Sequence, residues 1–296
     1  MFQGAPYRFN QYMSRFRFEA ILTALRLTKD EAPTYVDRFW EVRPLIKAWN
    51  ENMTQQFSPS SVTCLDESMS KWVNKYTCPG FMVVPRKPWP FGNEWHTICC
   101  ARSGVMFAVE LMEGKDKPPQ VNKEFSNRGK TVGLLLHLTC RIWHSSRLVI
   151  LDSGFCVLKG IVELPKKGVY ASALIKKHWY WPKHIPGDQI RKYFSTKQVG
   201  DTNAMPGTLD GVQFYVFALK EPNYVLSIMS TYGSLERRGK IKPRKWIENG
   251  KKSERHSSIQ RWYTTTLHIV MQLTHTMLTG CGQSLLKRAG EPVTGL

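Results

Sequence analysis

Long apolar runs are missing from this chain of 296 residues; none exceeds a few positions. That excludes a bilayer-spanning helix, which needs about 20 apolar residues. The opening Met1-Phe2-Gln3-Gly4 lacks the apolar core of a secretion signal, so a non-secreted chain without a membrane partner is expected. Paired cysteine motifs are missing as well. Cysteine occurs 7 times, an odd number, with no CxxC pair and no Cys/His cluster at zinc-finger spacing. This argues against a disulfide framework and against a zinc site. His96, His137, His144 and His178 share no ligand spacing and read as ordinary core or surface histidines. Acid is scarce: 23 Asp plus Glu stand against 42 Lys plus Arg, a formal net charge of +19. Such an excess predicts an anionic partner, nucleic acid ahead of an anionic membrane surface. A basic chain whose lysines serve only solubility is the alternative. The 42% hydrophobic content excludes a wholly disordered chain, and the length allows a real core.

What is present reads as an α/β layer architecture. Residues 14–27 predict a helix capped by Ser14, with Phe18, Ile21, Leu22 and Leu25 on one face. Residues 36–54 predict a second helix, kinked or split at Pro44. Both apolar stripes read as core. Short β-like runs follow at 61–66, 81–84, 96–102 and 104–112, with the Pro-rich PRKPWPFGNEW among them. An apolar helix is predicted over 130–143, a strand over 147–152, a helix after Gly154 and a strand over 169–175. Residues 176–210 break the pattern. The runs 211–220 and 223–230 then read as a hairpin, and 236–255 is a basic stretch.

Two acids stand out by position. Asp66 follows the run VTCL, and Asp152 follows LVIL. A carboxylate near a sheet core is costly unless paired or metal-bound. Two such acids on neighbouring strands suit hard divalent cations, which prefer oxygen ligands and drive phosphoryl transfer. The alternative is that each Asp caps the following turn, a role that Asp152-Ser153-Gly154 suits.

From Tyr12 to about Glu236 the chain resembles the piggyBac transposase superfamily. The matching segments, in order, are YMSRFRFEAILTALRL, SVTCLDESMSKW, KPWPFGNEW, LVILDSGFCV, ALIKKHWYWPKHIPGD and YVFALKEPNYVLSIMST. The resemblance implies an RNase H-like mixed sheet with flanking helices, a helical N-terminal segment (1–58) of DNA-binding or dimerisation type, and a transposase domain (59–235) with an insertion near 160–210; beyond it, the charge block makes 236–296 a basic, partly disordered C-terminal segment. It implies DNA cut-and-paste chemistry at three metal-binding aspartates, with Asp66 first and Asp152 second as catalytic residues holding Mg²⁺ or Mn²⁺. The third position falls at Gly233, with Glu236 as a poor substitute. An impaired site follows from that departure. An active recombinase, a purely DNA-binding scaffold and a gene remnant are the competing readings. The family's cysteine-rich tail is also unmatched, so a truncated relative is expected.

Phosphate and base contacts are assigned to the basic and aromatic residues. These are Arg86 and Lys87 beside the Pro-rich turn; Lys176, Lys177, Trp179, Trp181 and Lys183; and Arg237, Arg238, Lys240, Lys242, Arg244 and Lys245. Core packing for the aromatics and a solvated arm for the last group are the alternatives. Double-stranded DNA is the expected partner, a second copy of the chain a candidate partner, and the nucleus the expected location.

Overall fold

A computed structural model describes residues 9–25, 37, 39–76, 78–85, 87, 89–113, 125, 127–175, 186–233, 241–248 and 251–258. The chain divides into two compact units, residues 1–51 and 52–296. In the first unit, helix α1 (Arg15–Ala24) starts as predicted, the Ser14 hydroxyl accepting from the Arg17 N–H. Its Phe16, Phe18 and Ile21 side chains, and Leu25 just beyond it, are exposed, not core as their spacing suggests. Helix α2 (Arg43–Gln56) begins one residue before Pro44. Proline in the first turn removes an N–H that has no helical partner anyway, so the predicted interruption becomes a helix start. Asp37 organises that start. Its carboxylate accepts from the Phe39 N–H and pairs in bidentate fashion with the Arg43 guanidinium.

The second unit holds the expected mixed α/β layers. Its strands are β1 (Val62–Lys71), β2 (Phe81–Val83), β3 (Phe91–Cys100), β4 (Met106–Leu111), β5 (Leu148–Leu151), β6 (Tyr170–Leu174), β7 (Thr202–Leu209), β8 (Val212–Lys220) and β9 (Val225–Ser230). They form one sheet in the order β2-β3-β1-β5-β6-β9-β8-β7, with β4 also paired to β3. The β1-β5-β6 centre is parallel and the rest antiparallel. This is the RNase H-like mixed sheet that the resemblance implies, lengthened by a three-stranded antiparallel edge. Of the span read as an insertion, β6 lies at the centre of the sheet and β7 at its edge.

Helices α3 (Lys130–Thr139) and α4 (Leu158–Lys166) cover one face. Burial of Leu134, Leu135, Leu136 and Leu138 explains why residues 130–143 read as apolar almost all round. Leu135 and Ile161 pack with Leu65, Val149 and Leu151 in one core. Gly160 lets the helices approach: a Cβ there would meet Leu135 at 2.9 Å. Helix α5 (Gly187–Ser195), unforeseen among its breakers, adds Ile190 and Phe194 to that core. The basic stretch read as an arm contains an antiparallel hairpin, β10 (Ile241–Glu248) and β11 (Lys251–Ser258). Among the described residues, no helix is long and apolar enough to cross a membrane. Of residues 258–279, Ser258 at the end of β11 is among the described residues and the others are not.

Candidate functional site

The parallel β1-β5 pair sets Leu65 opposite Leu151, and the next residue on each is an aspartate. Side chains alternate along a strand. Asp66 therefore follows Cys64 onto the face where Cys64, Leu148 and Ile150 cluster, and Glu67 follows Leu65 onto the helix-covered face. Asp66 is the fifth residue of β1, not a strand end, because β1 runs on to Lys71. Its carboxylate accepts the Glu67 N–H at 2.7 Å. Burial pushes the Asp66 carboxyl up to about 6; Asp152 and Glu67 push the same way, against the Glu67 N–H and Lys87. A carboxyl that feels its neighbour's charge in this way belongs with it to one electrostatic site.

Asp152 is exposed at the mouth of β5. Its carboxylate accepts from the Ser153 hydroxyl at 3.4 Å but takes no cap hydrogen bond from the backbone N–H groups of the turn at residues 153–155. The capping alternative is thus not realised at either acid. Lys87 Nζ donates to the Glu67 carbonyl at 2.8 Å, tying the Pro-rich turn to β1 beside Asp66. Below Asp152, burial, then Asp152 itself, pushes the Cys156 thiol up to about 12. We expect Cys156 to resist alkylation at pH 8 in the folded protein and to react only after denaturant, as peptide mass spectrometry would show; labelling of the native protein would contradict this.

The register sets Gly233 apart from the Asp66–Asp152 level. Leu151 pairs with Ala173, and Ala173 with Met229. Asp152 is therefore level with Leu174 and Ile228. Because β9 runs antiparallel to β6, the chain after Ile228 moves away from that level. The Thr231 N–H reaches the Ala171 carbonyl, and the Tyr232 ring meets the Tyr170 ring 5.4 Å away, toward the far end of β6. Gly233 comes after both, away from the level of Asp152. Glu236 lies outside the described residues. The acids that act on the Asp66 carboxyl are Asp152 and Glu67.

A second polar group went unseen in the sequence. Glu67 on β1 stands opposite His96 on β3, and His96 opposite Glu110 on β4. His96 Nε2 is 3.3 Å from Glu94 Oε1 and 3.8 Å from Glu67 Oε1. Farther along, His137 Nε2 on α3 is 3.3 Å from Glu110 Oε2. Burial, then Glu67, raises the Glu94 pKa against His96, Lys87 and Lys130. The readable signal was Glu94-Trp95-His96, which puts an acid and an imidazole on one strand face. Glu67 joins them only through strand pairing, which no local spacing encodes.

Of the predicted DNA contacts, Lys87, Lys242, Arg244 and Lys245 are among the described residues. Lys87 is half-buried. Lys242, Arg244 and Lys245 fall on β10. Arg86, Lys176, Lys177, Trp179, Trp181, Lys183, Arg237, Arg238 and Lys240 lie outside the described residues. Aromatic and basic groups that the sequence reading did not single out lie past the end of β1. Trp72, Tyr76 and Trp89 are exposed there, and Lys71 Nζ sits 4.0 Å from the Trp89 ring centre.

A family model described as Transposase IS4 matches residues 1–280. No curated protein matches the chain. Among solved structures it is similar to piggyBac transposase, seen by cryo-EM in a synaptic complex with hairpin DNA, with 18% identity and a TM-score of 0.61. The likeness covers 94% of this chain and 55% of that one, so the chain spans about half the length of that transposase. At this identity the likeness shows the fold.

Proposed function

The chain belongs to the IS4 transposase family and has the piggyBac transposase fold, and from that premise we propose that it binds double-stranded DNA through a divalent-cation site of impaired cutting power. The observation that carries this reading is the β1-β5 register, which sets Asp66 beside Asp152 at one level of a transposase sheet. The donor set fits a hard cation. Two carboxylates stand together, and the buried one is held partly in its neutral form by burial and by the nearby acids. Asp66 and Asp152 would hold Mg²⁺ or Mn²⁺, which when bound supplies Lewis-acid activation of an attacking oxygen and charge stabilisation of the leaving one.

The chain's own residues do the positioning. The β1-β3 ladder fixes Asp66, the Glu67 N–H orients its carboxylate, and Lys87 anchors the adjoining turn. Impairment is read from the acids around Asp66. Among the described residues, Asp152 is the acid that acts on Asp66 from its own face, while the alternation of β1 turns Glu67 to the other face. The net charge of +19 supports the DNA reading and, with it, a nuclear location.

The test uses the full chain with duplex DNA. Log Kd should rise steeply with log salt, with a slope of about 0.9 per phosphate contact. Replacing Lys242, Arg244 and Lys245 by Ala should lower that slope by about one per lost contact. Binding that ignores salt would sink the DNA reading. In Mg²⁺ or Mn²⁺, nicking should stay at background; nicking that vanishes in Asp152→Ala would overturn the impairment.

A further inference from the structure

We propose that Glu67, Glu94 and His96 form a transition-metal site on the helix-covered face of the sheet, separate from the Asp66–Asp152 pair on the opposite face. The ligand would be a divalent cation that accepts an imidazole, Zn²⁺ first.

Geometry carries the assignment. One donor atom from each residue, two carboxylate oxygens and one imidazole nitrogen, lies within 4.8 Å of both others. The Nε2 separations of 3.3 and 3.8 Å fit a shared ion. Donors held about 2.1 Å from a tetrahedral metal stand roughly 3.4 Å apart. The site is built, not assembled from loose surface groups. His96 is 4% exposed and Glu94 9%, and both project from one strand face of β3. The His96 ring is aimed by its surroundings: Phe155 meets it edge-on at 5.4 Å, and Nδ1 is buried without a hydrogen-bond partner. Its other nitrogen is turned between the two carboxylates.

Glu67 supplies the access. Its side chain is 30% exposed, against 6% for His96. Gly154 bounds that side, where a Cβ would stand 3.0 Å from Glu67 Oε1. Three protein ligands leave a fourth position open for water or another small ligand. One imidazole in the donor set separates the cation preferences of the two sites. Imidazole suits Zn²⁺ and its neighbours, whereas an all-carboxylate pair suits Mg²⁺.

The proposal is independent of DNA binding and of cleavage, so it is tested on the full chain with metal alone. Zinc titration by calorimetry should show a site that Glu94→Gln and His96→Gln each weaken more than about 100-fold, beyond what loss of a supporting contact costs. The Asp66→Asn/Asp152→Asn double variant should keep it within about threefold. Glu67→Gln, a change at the accessible ligand, should also weaken binding and guards against misfolding of the two buried variants. X-ray absorption of the zinc-loaded wild-type protein should show one imidazole among nitrogen and oxygen neighbours, with no sulfur near 2.3 Å. Binding that survives His96→Gln, that disappears in the aspartate double variant, or that shows sulfur ligation overturns the proposal, as does failure of wild type to bind zinc.

Discussion

Gly92→Ala is expected to cost at least about 4 kcal/mol, most of the stability of a protein at the low end of the ordinary range of about 5–15 kcal/mol. Gly92 pairs with Lys71 on β1 and with Met82 on β2, at φ +153°. A Cβ built there would stand 1.8 Å from the Ser70 carbonyl oxygen and 2.9 Å from its carbon. No rotamer relieves that clash, because both contacts are backbone and the added atom has no torsion of its own. The strands must separate where their ladder begins, and the Trp72 N–H must leave the Phe91 carbonyl. The damage spreads along β1 toward Asp66, which the same ladder holds opposite Thr97. Urea denaturation followed by tryptophan fluorescence measures the loss. A soluble variant with the wild-type midpoint would show that β1 and β3 are not packed as described.

Gly92 also shows what the sequence made legible. The segment KPWPFGNEW is recognisable as a turn, and the structure supplies the reason for its glycine: a close backbone approach between two strands. Elsewhere, local signals sufficed wherever one face of an element carries the core. The apolar stretch of α3, the LVIL of β5 and the β8-β9 hairpin were readable for that reason. Two hairpins were missed although their turn dipeptides stood in view. Asp210-Gly211 links the paired Leu209 and Val212 with φ of 49° and 75°, the positive values that two-residue hairpin turns require. Asn249-Gly250 sits between the paired Glu248 and Lys251. In the second hairpin, lysines and arginines hid the strand alternation behind a charge block. The sites divide the same way. Asp66 and Asp152 stood out because each follows an apolar run, and the β1-β5 register sets them side by side. The separation of Gly233 from the level of Asp152 was not legible because the direction of β9 against β6 is a tertiary fact, and Glu67 with His96 went unseen because register alone unites them.

Asp66→Asn should make the metal-free protein more stable at pH 7.5, by about 2 to 3 kcal/mol, while removing its response to Mg²⁺. The folded-state pKa of Asp66, about 6, stands above its ordinary 3.8. The folded protein therefore binds that proton more tightly than the unfolded chain. The stability so gained is complete below pH 3.8 and is lost as the pH rises through about 6. Above that window the ionised carboxylate is a liability of about two pKa steps, each worth roughly 1.4 kcal/mol. Asparagine keeps an oxygen to accept the Glu67 N–H and carries no charge to bury or to set against Asp152 and Glu67. Its advantage should be about 5–10 °C in Tm for a unit of this size at pH 7.5, and should shrink toward nothing near pH 4. Magnesium should reverse the ranking if Asp66 is the ligand proposed above. A cation bound only by the folded wild-type protein raises its Tm with concentration, and the variant lacks the charged ligand that binding requires. Thermal melts at the two pH values, with and without Mg²⁺, separate these contributions. A variant less stable than wild type in metal-free buffer at pH 7.5 would mean that Asp66 is a structural acid, satisfied by the fold and not held in readiness for a metal.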